Sequence, residues 1–192
     1  STSELQTQLK TTKGDLALLY GRKGEDGETV LRFRQPPRVE VLEGSVEQNF
    51  NASTGDLRLN YRHNGLIRLR ISGEGKPPLL LLIGEEDVAS AFWRQETPSG
   101  AVLARGPALV RKAGLKNGRL ALTGDTTTAQ RLEVWGPKFG TISWNGSTVA
   151  GAETPNGSWL SREALPAAQP VKLPELAQWR VARGAPEADP AF

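Results

Sequence analysis

Residues 92–110, FWRQETPSGAVLARGPALV, are the stretch on which the reading of this chain turns. Upstream of it, Glu85-Glu86-Asp87 runs into Val88-Ala89-Ser90-Ala91-Phe92-Trp93, a pattern that predicts one short helix over 85–93 with carboxylates at its positive end. Pro98-Ser99-Gly100 then reads as a loop, and the apolar run 102–104 closes at Gly106-Pro107. Both flanks carry short alternating segments punctuated by Gly, Pro and Asn. The expected fold is therefore all-β. An antiparallel β-rich domain over 1–104 is followed by a small antiparallel β-sandwich over 105–175, and 176–192 form a linker toward a further domain.

On the upstream side, 14–20 and 29–34 flank a polar turn and suggest a hairpin, which Pro36-Pro37 ends. Residues 1–10 are polar and fit a frayed strand or a weak helix. Alternation resumes over 38–43. It is clearest in Leu57-Arg58-Leu59-Asn60-Tyr61 and in Ile67-Arg68-Leu69-Arg70-Ile71, which flank His63-Asn64-Gly65. Asn-Gly accepts the positive φ of a tight turn, so these two runs are expected to pair as a hairpin. Residues 79–83 are continuously apolar and of strand length, as in a buried strand.

Downstream, 109–113, 119–123, 130–135, 141–144 and 147–150 are strand candidates. Asn117-Gly118 and Asn145-Gly146 each mark a hairpin turn between apolar flanks. Residues 166–174 are rich in proline and alanine, and the segment that follows is polar apart from Trp179.

Composition narrows the function classes. A chain of 192 residues with 38% hydrophobic and 23% charged residues has enough apolar content to bury a core. No run of eighteen apolar residues exists, so no spanning helix and no membrane partner are expected. Without cysteine there is no thiolate chemistry, and the single His63 leaves little room for a histidine metal site or a triad. The net charge of +3 arises from cations scattered through the second half, among them Arg105, Arg111, Lys112 and Arg131. They form no basic stripe interleaved with aromatics, so no nucleic-acid partner is expected.

No residue pattern marks a catalytic, cofactor or metal site. Adjacent carboxylates such as Glu85, Glu86 and Asp87 seldom face each other across a substrate, and they are expected to be solvent-exposed. His63, beside a turn, is expected to be an exposed loop residue. Five tryptophans invite a sugar-stacking reading, for which Trp159, after Asn156-Gly157-Ser158, is the candidate platform. Asn51, Asn145 and Asn156 each head an Asn-X-Ser triplet and are candidate N-glycosylation acceptors. They permit a secreted source, so an extracellular location is the expectation.

Several ordered segments resemble the central non-catalytic region of large β-galactosidases of glycoside hydrolase family 35. They are Glu86-Asp87-Val88-Ala89-Ser90-Ala91-Phe92-Trp93-Arg94-Gln95 and Val102-Leu103-Ala104-Arg105-Gly106-Pro107-Ala108-Leu109-Val110-Arg111, then Leu132-Glu133-Val134-Trp135 and Ser143-Trp144-Asn145-Gly146. Val171-Lys172-Leu173-Pro174 and the closing Pro186-Glu187-Ala188-Asp189-Pro190 resemble the junction toward a later jelly-roll domain. The resemblance implies a catalytic TIM barrel upstream, whose two glutamates carry out retaining hydrolysis of terminal β-galactosides; neither glutamate motif occurs in this sequence. An internal fragment, starting without Met and ending in polar sequence, fits that placement. The implied role is a non-catalytic accessory region that packs on the barrel and the jelly-roll domains. The alternatives are a carbohydrate-binding module taking a galactoside or polysaccharide, and a stand-alone secreted interaction protein of the same architecture.

Overall fold

A computed structural model describes residues 4–85, 92–107 and 109–167. The first half supplies β1 (Glu4–Thr11), β2 (Gly14–Gly21), β3 (Asp26–Arg32), β4 (Arg38–Glu43), β5 (Glu47–Asn51), β6 (Asp56–Arg62), β7 (Ile67–Ser72) and β8 (Leu79–Glu85). The second half supplies β9 (Phe92–Thr97), β10 (Gly100–Arg105), β11 (Leu109–Lys116), β12 (Arg119–Asp125), β13 (Gln130–Trp135), β14 (Thr141–Trp144), β15 (Ser147–Val149), β16 (Gly151–Glu153) and β17 (Trp159–Leu165). All regular structure among the described residues is strand.

The strands form four sheets, ordered β3-β6-β5, β1-β2-β8-β7-β4, β16-β17-β13-β10-β9 and β11-β12-β14-β15. Strand periodicity explains how they stack, because successive side chains leave opposite faces. On β2 and β8, Ala17, Leu19, Leu81 and Ile83 pack with Leu57, Leu59 and Tyr61 of the three-stranded sheet. Their neighbours Leu16, Leu18, Leu80 and Leu82 point the other way and pack with Phe92, Leu103 and Trp135. On the far side of that third sheet, Val102, Ala104, Leu132 and Val134 meet Val110, Leu120, Leu122, Ile142 and Trp144 of the fourth. The result is a four-layer stack whose two middle sheets are buried on both faces. This is why 79–83 lacks alternation: β8 lies between β2 and β7, with a core on each side.

The all-β expectation holds, with parallel pairings added at β2–β8 and β12–β14. Both pairs are non-consecutive: between β2 and β8 the chain builds the three-stranded sheet as well as β4 and β7 of their own sheet, and between β12 and β14 it contributes β13 to the neighbouring sheet. The expected hairpin of 14–20 with 29–34 does not form: β2 pairs with β1 and β8, whereas β3 pairs with β6. Nor do the runs around Asn64-Gly65 pair with each other, since β6 joins β3 and β5 while β7 joins β4 and β8. That segment is a crossover between layers. Of residues 1–10, expected to be a frayed strand or a weak helix, 4–10 lie in the edge strand β1.

Around the opening stretch, Phe92 and Trp93 begin β9 instead of ending a helix, and Glu85 closes β8; residues 86–91 lie outside the described residues. β9 and β10 form a hairpin across Pro98-Ser99. β10 also pairs with β13 through Leu103↔Trp135 and Ala104↔Val134. A division after Ala104 would therefore cut a strand hydrogen-bonded on both sides, and the change of sheet falls between β8 and β9. The expected linker over 176–192 and Trp179 lie outside the described residues.

Two polar residues expected at the surface are buried. His63 is 1% exposed, with Nδ1 3.0 Å from the Gly84 carbonyl oxygen and its ring edge-on to Tyr61. The crossover carries it inward, and the missing side chain of Gly21 leaves room for the imidazole. Glu85 is also buried, paired with Lys23 Nζ at 3.3 Å, because it continues β8 instead of opening a helix.

Candidate functional site at the seam between the middle sheets

The two middle sheets meet across a seam that grades from apolar to charged. Under β2 and β8 it is leucine against Phe92, Leu103 and Trp135. Under β7 the same face carries Arg68 and Arg70, because Ile67, Leu69 and Ile71 take the opposite core. Arg70 reaches the Pro155 carbonyl oxygen across the seam and Glu40 on its own side. Lys13 pairs with Glu153 at 3.7 Å. The turn between β16 and β17 is thus held from two directions by the first half of the chain.

The centre of the charged end is Glu133 on β13, 7% exposed. Arg68 grips it with both terminal nitrogens, Nη1–Oε1 at 2.6 Å and Nη2–Oε2 at 3.0 Å, and Ser158 Oγ donates to Oε1 at 2.7 Å. Arg68 Nε donates to Glu43 at 2.7 Å, and its guanidinium carbon lies 5.8 Å from the centroid of the Trp135 ring. A planar fork satisfied on both edges and stacked on an indole has little freedom to rearrange. Desolvation pulls the Arg68 pKa down, but the hydrogen bonds and charges of Glu133 and Glu43 outweigh it and hold the group above its ordinary value.

Arg105 on β10 stands beside this pair on different terms. Its nearest carboxylate oxygen is Glu133 Oε2 at 3.8 Å, and its guanidinium carbon lies 5.5 Å from the Phe92 ring centroid. Burial first, and then the like charge of Arg68, hold its pKa below the ordinary arginine value. It remains cationic at neutral pH, since arginine does not deprotonate in proteins.

Next to this cluster opens a cleft of about 550 Å³, whose lining includes Arg68, Arg105, Glu133, Thr154 and Asn156. A larger cleft of about 700 Å³ lies by β3 and β6, among Asp26, Glu28, Asn60 and Arg62. Among the described residues, no group of three or more His, Cys, Asp or Glu side chains is placed to hold a metal ion.

The residues singled out from sequence lie elsewhere or differently. Trp159 is not a platform: it is 6% exposed, belongs to the core between the third and fourth sheets, and its ring lies over Gly151, where a side chain would overlap it. Position 159 is the first residue of β17, whose alternation turns the indole inward. The described tryptophans are all buried or half-buried, and the only exposed large hydrophobic side chains among the described residues are Val30 and Val41. Asn51 is exposed, with Oδ1 accepting from the backbone of Ser53 at 2.9 Å and Thr54 at 3.3 Å. Asn145 spends its amide on the backbone of Gly124, accepting and donating at 2.9 Å. Asn156 is half-buried on the cleft wall, and its triplet partner Ser158 is buried against Glu133.

Sequence reasoning missed Arg68, Arg105, Glu133 and Ser158. One signal was available: Glu133 and Trp135 are two apart and share a strand face. A tryptophan on the same face as a carboxylate marks that face as covered and gives the carboxylate a reason to be paired.

These features define a pair of β-sheet domains fused along a mixed apolar and ionic seam. Residues 1–92 match the family model "Beta-galactosidase, domain 2", and residues 86–160 match "Beta-galactosidase, domain 3". The chain is 32% identical over its whole length to a Neosartorya fischeri protein named "Probable beta-galactosidase B". It is 30% identical over 97% of its length to the protein of that name from Penicillium rubens, and 24% identical over 93% to "Probable beta-galactosidase C" of Sclerotinia sclerotiorum. It spans 19% of the length of each of these relatives. Together the two matches cover residues 1–160, which thus correspond to domains 2 and 3 of β-galactosidases.

Proposed function

We propose that this chain is the non-catalytic accessory region of a retaining, extracellular β-galactosidase of glycoside hydrolase family 35, where it packs against the catalytic barrel and positions the domains around it. The observation that carries this reading is the match to two consecutive β-galactosidase domains by a chain spanning 19% of its relatives. The seam supports it physically. Two sheets joined by a leucine core and a buried Arg–Glu fork behave as one rigid block, and rigidity is what a spacer between domains requires. The absence of an exposed aromatic among the described residues weighs against a carbohydrate-binding module built on ring stacking. The reading predicts that the purified chain releases no chromophore from a nitrophenyl β-galactoside; robust, titratable hydrolysis by the pure chain overturns it.

A further inference from the structure

We propose that the cleft at the charged end of the seam is a binding site for a small monoanionic carboxylated sugar of the hexuronate class, with Arg105 as its principal ligand. Glu133 accepts both prongs of Arg68 and the Ser158 hydroxyl, so its oxygens are occupied. Arg105 lies 3.8 Å from it, beyond hydrogen-bond reach, and its guanidinium donates no hydrogen bond to any described residue. Its side chain is 34% exposed, and it lines the cleft. Five N–H donors, partly desolvated and aimed at an open cavity, make an acceptor site for a carboxylate.

The remaining walls narrow the ligand. Arg131 supplies a second guanidinium whose Nε is tied to the Ser161 carbonyl oxygen at 2.7 Å, leaving its terminal nitrogens to the cleft. Gly106, with φ of +118°, brings the end of β10 against β13 so closely that a side chain there would overlap the Arg131 carbonyl oxygen. That approach puts Arg105 and Arg131 on one cavity. The lining holds three arginines, Arg68, Arg105 and Arg131, against Glu43 and Glu133. One positive charge is left over, which a monoanion balances and a dianion such as phosphate overshoots. Gln130, Thr154 and Asn156 add amide and hydroxyl groups suited to sugar hydroxyls, and Leu160 adds an apolar wall. A volume of about 550 Å³ accommodates a sugar of one or two rings. Because Arg68 is locked by Glu43, Glu133 and Trp135, the site is organised before any ligand arrives.

The test is an NMR titration of the intact chain with D-galacturonate, D-galactose and acetate, following the arginine Nε–Hε signals. Galacturonate is expected to shift the Arg105 and Arg131 signals saturably, with a Kd on the order of 1 mM, weakening as salt rises. Galactose should leave these signals in place, and acetate should bind at least about tenfold more weakly. Arg105→Gln should abolish the shifts and Arg105→Lys, which keeps the charge without the fork, should weaken them severalfold. Asn156→Ala, on the turn between β16 and β17, gives a second arm should Arg105→Gln disturb the fold, and it too should weaken binding. Shifts of equal size with galactose, equal affinity for acetate, or undiminished galacturonate binding by well-folded Arg105→Gln or by Asn156→Ala overturn the proposal.

Discussion

At the scale of single residues, the seam depends on a carboxylate that the strand pattern presents as ordinary. Glu133 lies between Leu132 and Val134, and such alternation reads as one face in and one face out. Here both faces are covered, and the outward-looking position meets Arg68 instead of water. Removing one member of a buried ion pair strands the other, at a cost of about 3–5 kcal/mol. Glu133→Ala should lower the stability of the chain by that amount in urea unfolding, and Ser158→Ala by about 1 kcal/mol for one lost hydrogen bond. Asp56 is held below its ordinary carboxyl pKa of 3.8, chiefly by the Arg32 guanidinium at 3.1 Å and then by Thr54. A depressed folded value means that its contribution is complete above the ordinary value and is lost as pH falls through the folded one. An NMR titration of the Asp56 carboxyl should show the depressed midpoint, and Arg32→Gln should move it back up; an unchanged midpoint would sink the assignment. Alternation specified which residues share a face, but it carries no information about what that face meets, and so Arg68 and Glu133 escaped notice.

At the scale of elements, the turns show which local signals suffice. Asn117-Gly118 and Asn145-Gly146 put both central residues at positive φ, 51° and 72° in the first and 47° and 87° in the second. That is the geometry of a two-residue hairpin, and β11–β12 and β14–β15 pair across them. At Asn64-Gly65 only the glycine has positive φ, and the chain leaves one sheet for another. The dipeptide permits the tight turn without compelling it; the larger gain of burying β6 and β7 in different sheets decides the outcome. The β14–β15 turn has a further tie, since Asn145 brackets the backbone of Gly124 on β12 with both ends of its amide. Asn145→Ala should therefore destabilise the chain by about 3 kcal/mol, roughly one for each hydrogen bond lost and roughly one for the left-handed backbone at φ 47°. Asn117→Ala, whose side chain makes no such bonds, should cost only about 1 kcal/mol of left-handed backbone strain. Equal effects in urea melts would show that the bracket contributes nothing. The same stacking decision hid the β9–β10 hairpin: its acidic and aromatic lead-in has helical features, but pairing of β10 with β13 fixes it as strand.

At the scale of the whole molecule, the order of the layers was the least legible feature, because it depends on contacts between strands far apart in the chain. β2 pairs in parallel with β8, and Leu103 of β10 shares a core with Leu16 and Leu82. No local periodicity encodes either contact. Their consequence concerns cooperativity. Matches to two separate domain families over 1–92 and 86–160 suggest two folding units, whereas the leucine seam gives each unit a core face that only the other covers. Exposing Leu16, Leu18, Leu80 and Leu82 would forfeit roughly 1.5–3 kcal/mol for each side chain, a summed loss comparable with the roughly 5–15 kcal/mol by which a domain is stable. The two halves are therefore expected to unfold together. Leu103→Ala tests this directly: the truncation lies in the second half, at a site packed against the first, and should cost about 2–5 kcal/mol. All five tryptophans, Trp93, Trp135, Trp144, Trp159 and Trp179, follow residue 91, so tryptophan fluorescence reports the second half of the chain, while amide exchange of β6 and β8 reports the first. Both probes should follow one urea transition in the native chain, and both midpoints should fall by the same amount in Leu103→Ala. A fall confined to the fluorescence signal would mean that the seam joins two independently stable domains, and that the rigidity required of a spacer must come from the rest of the parent protein.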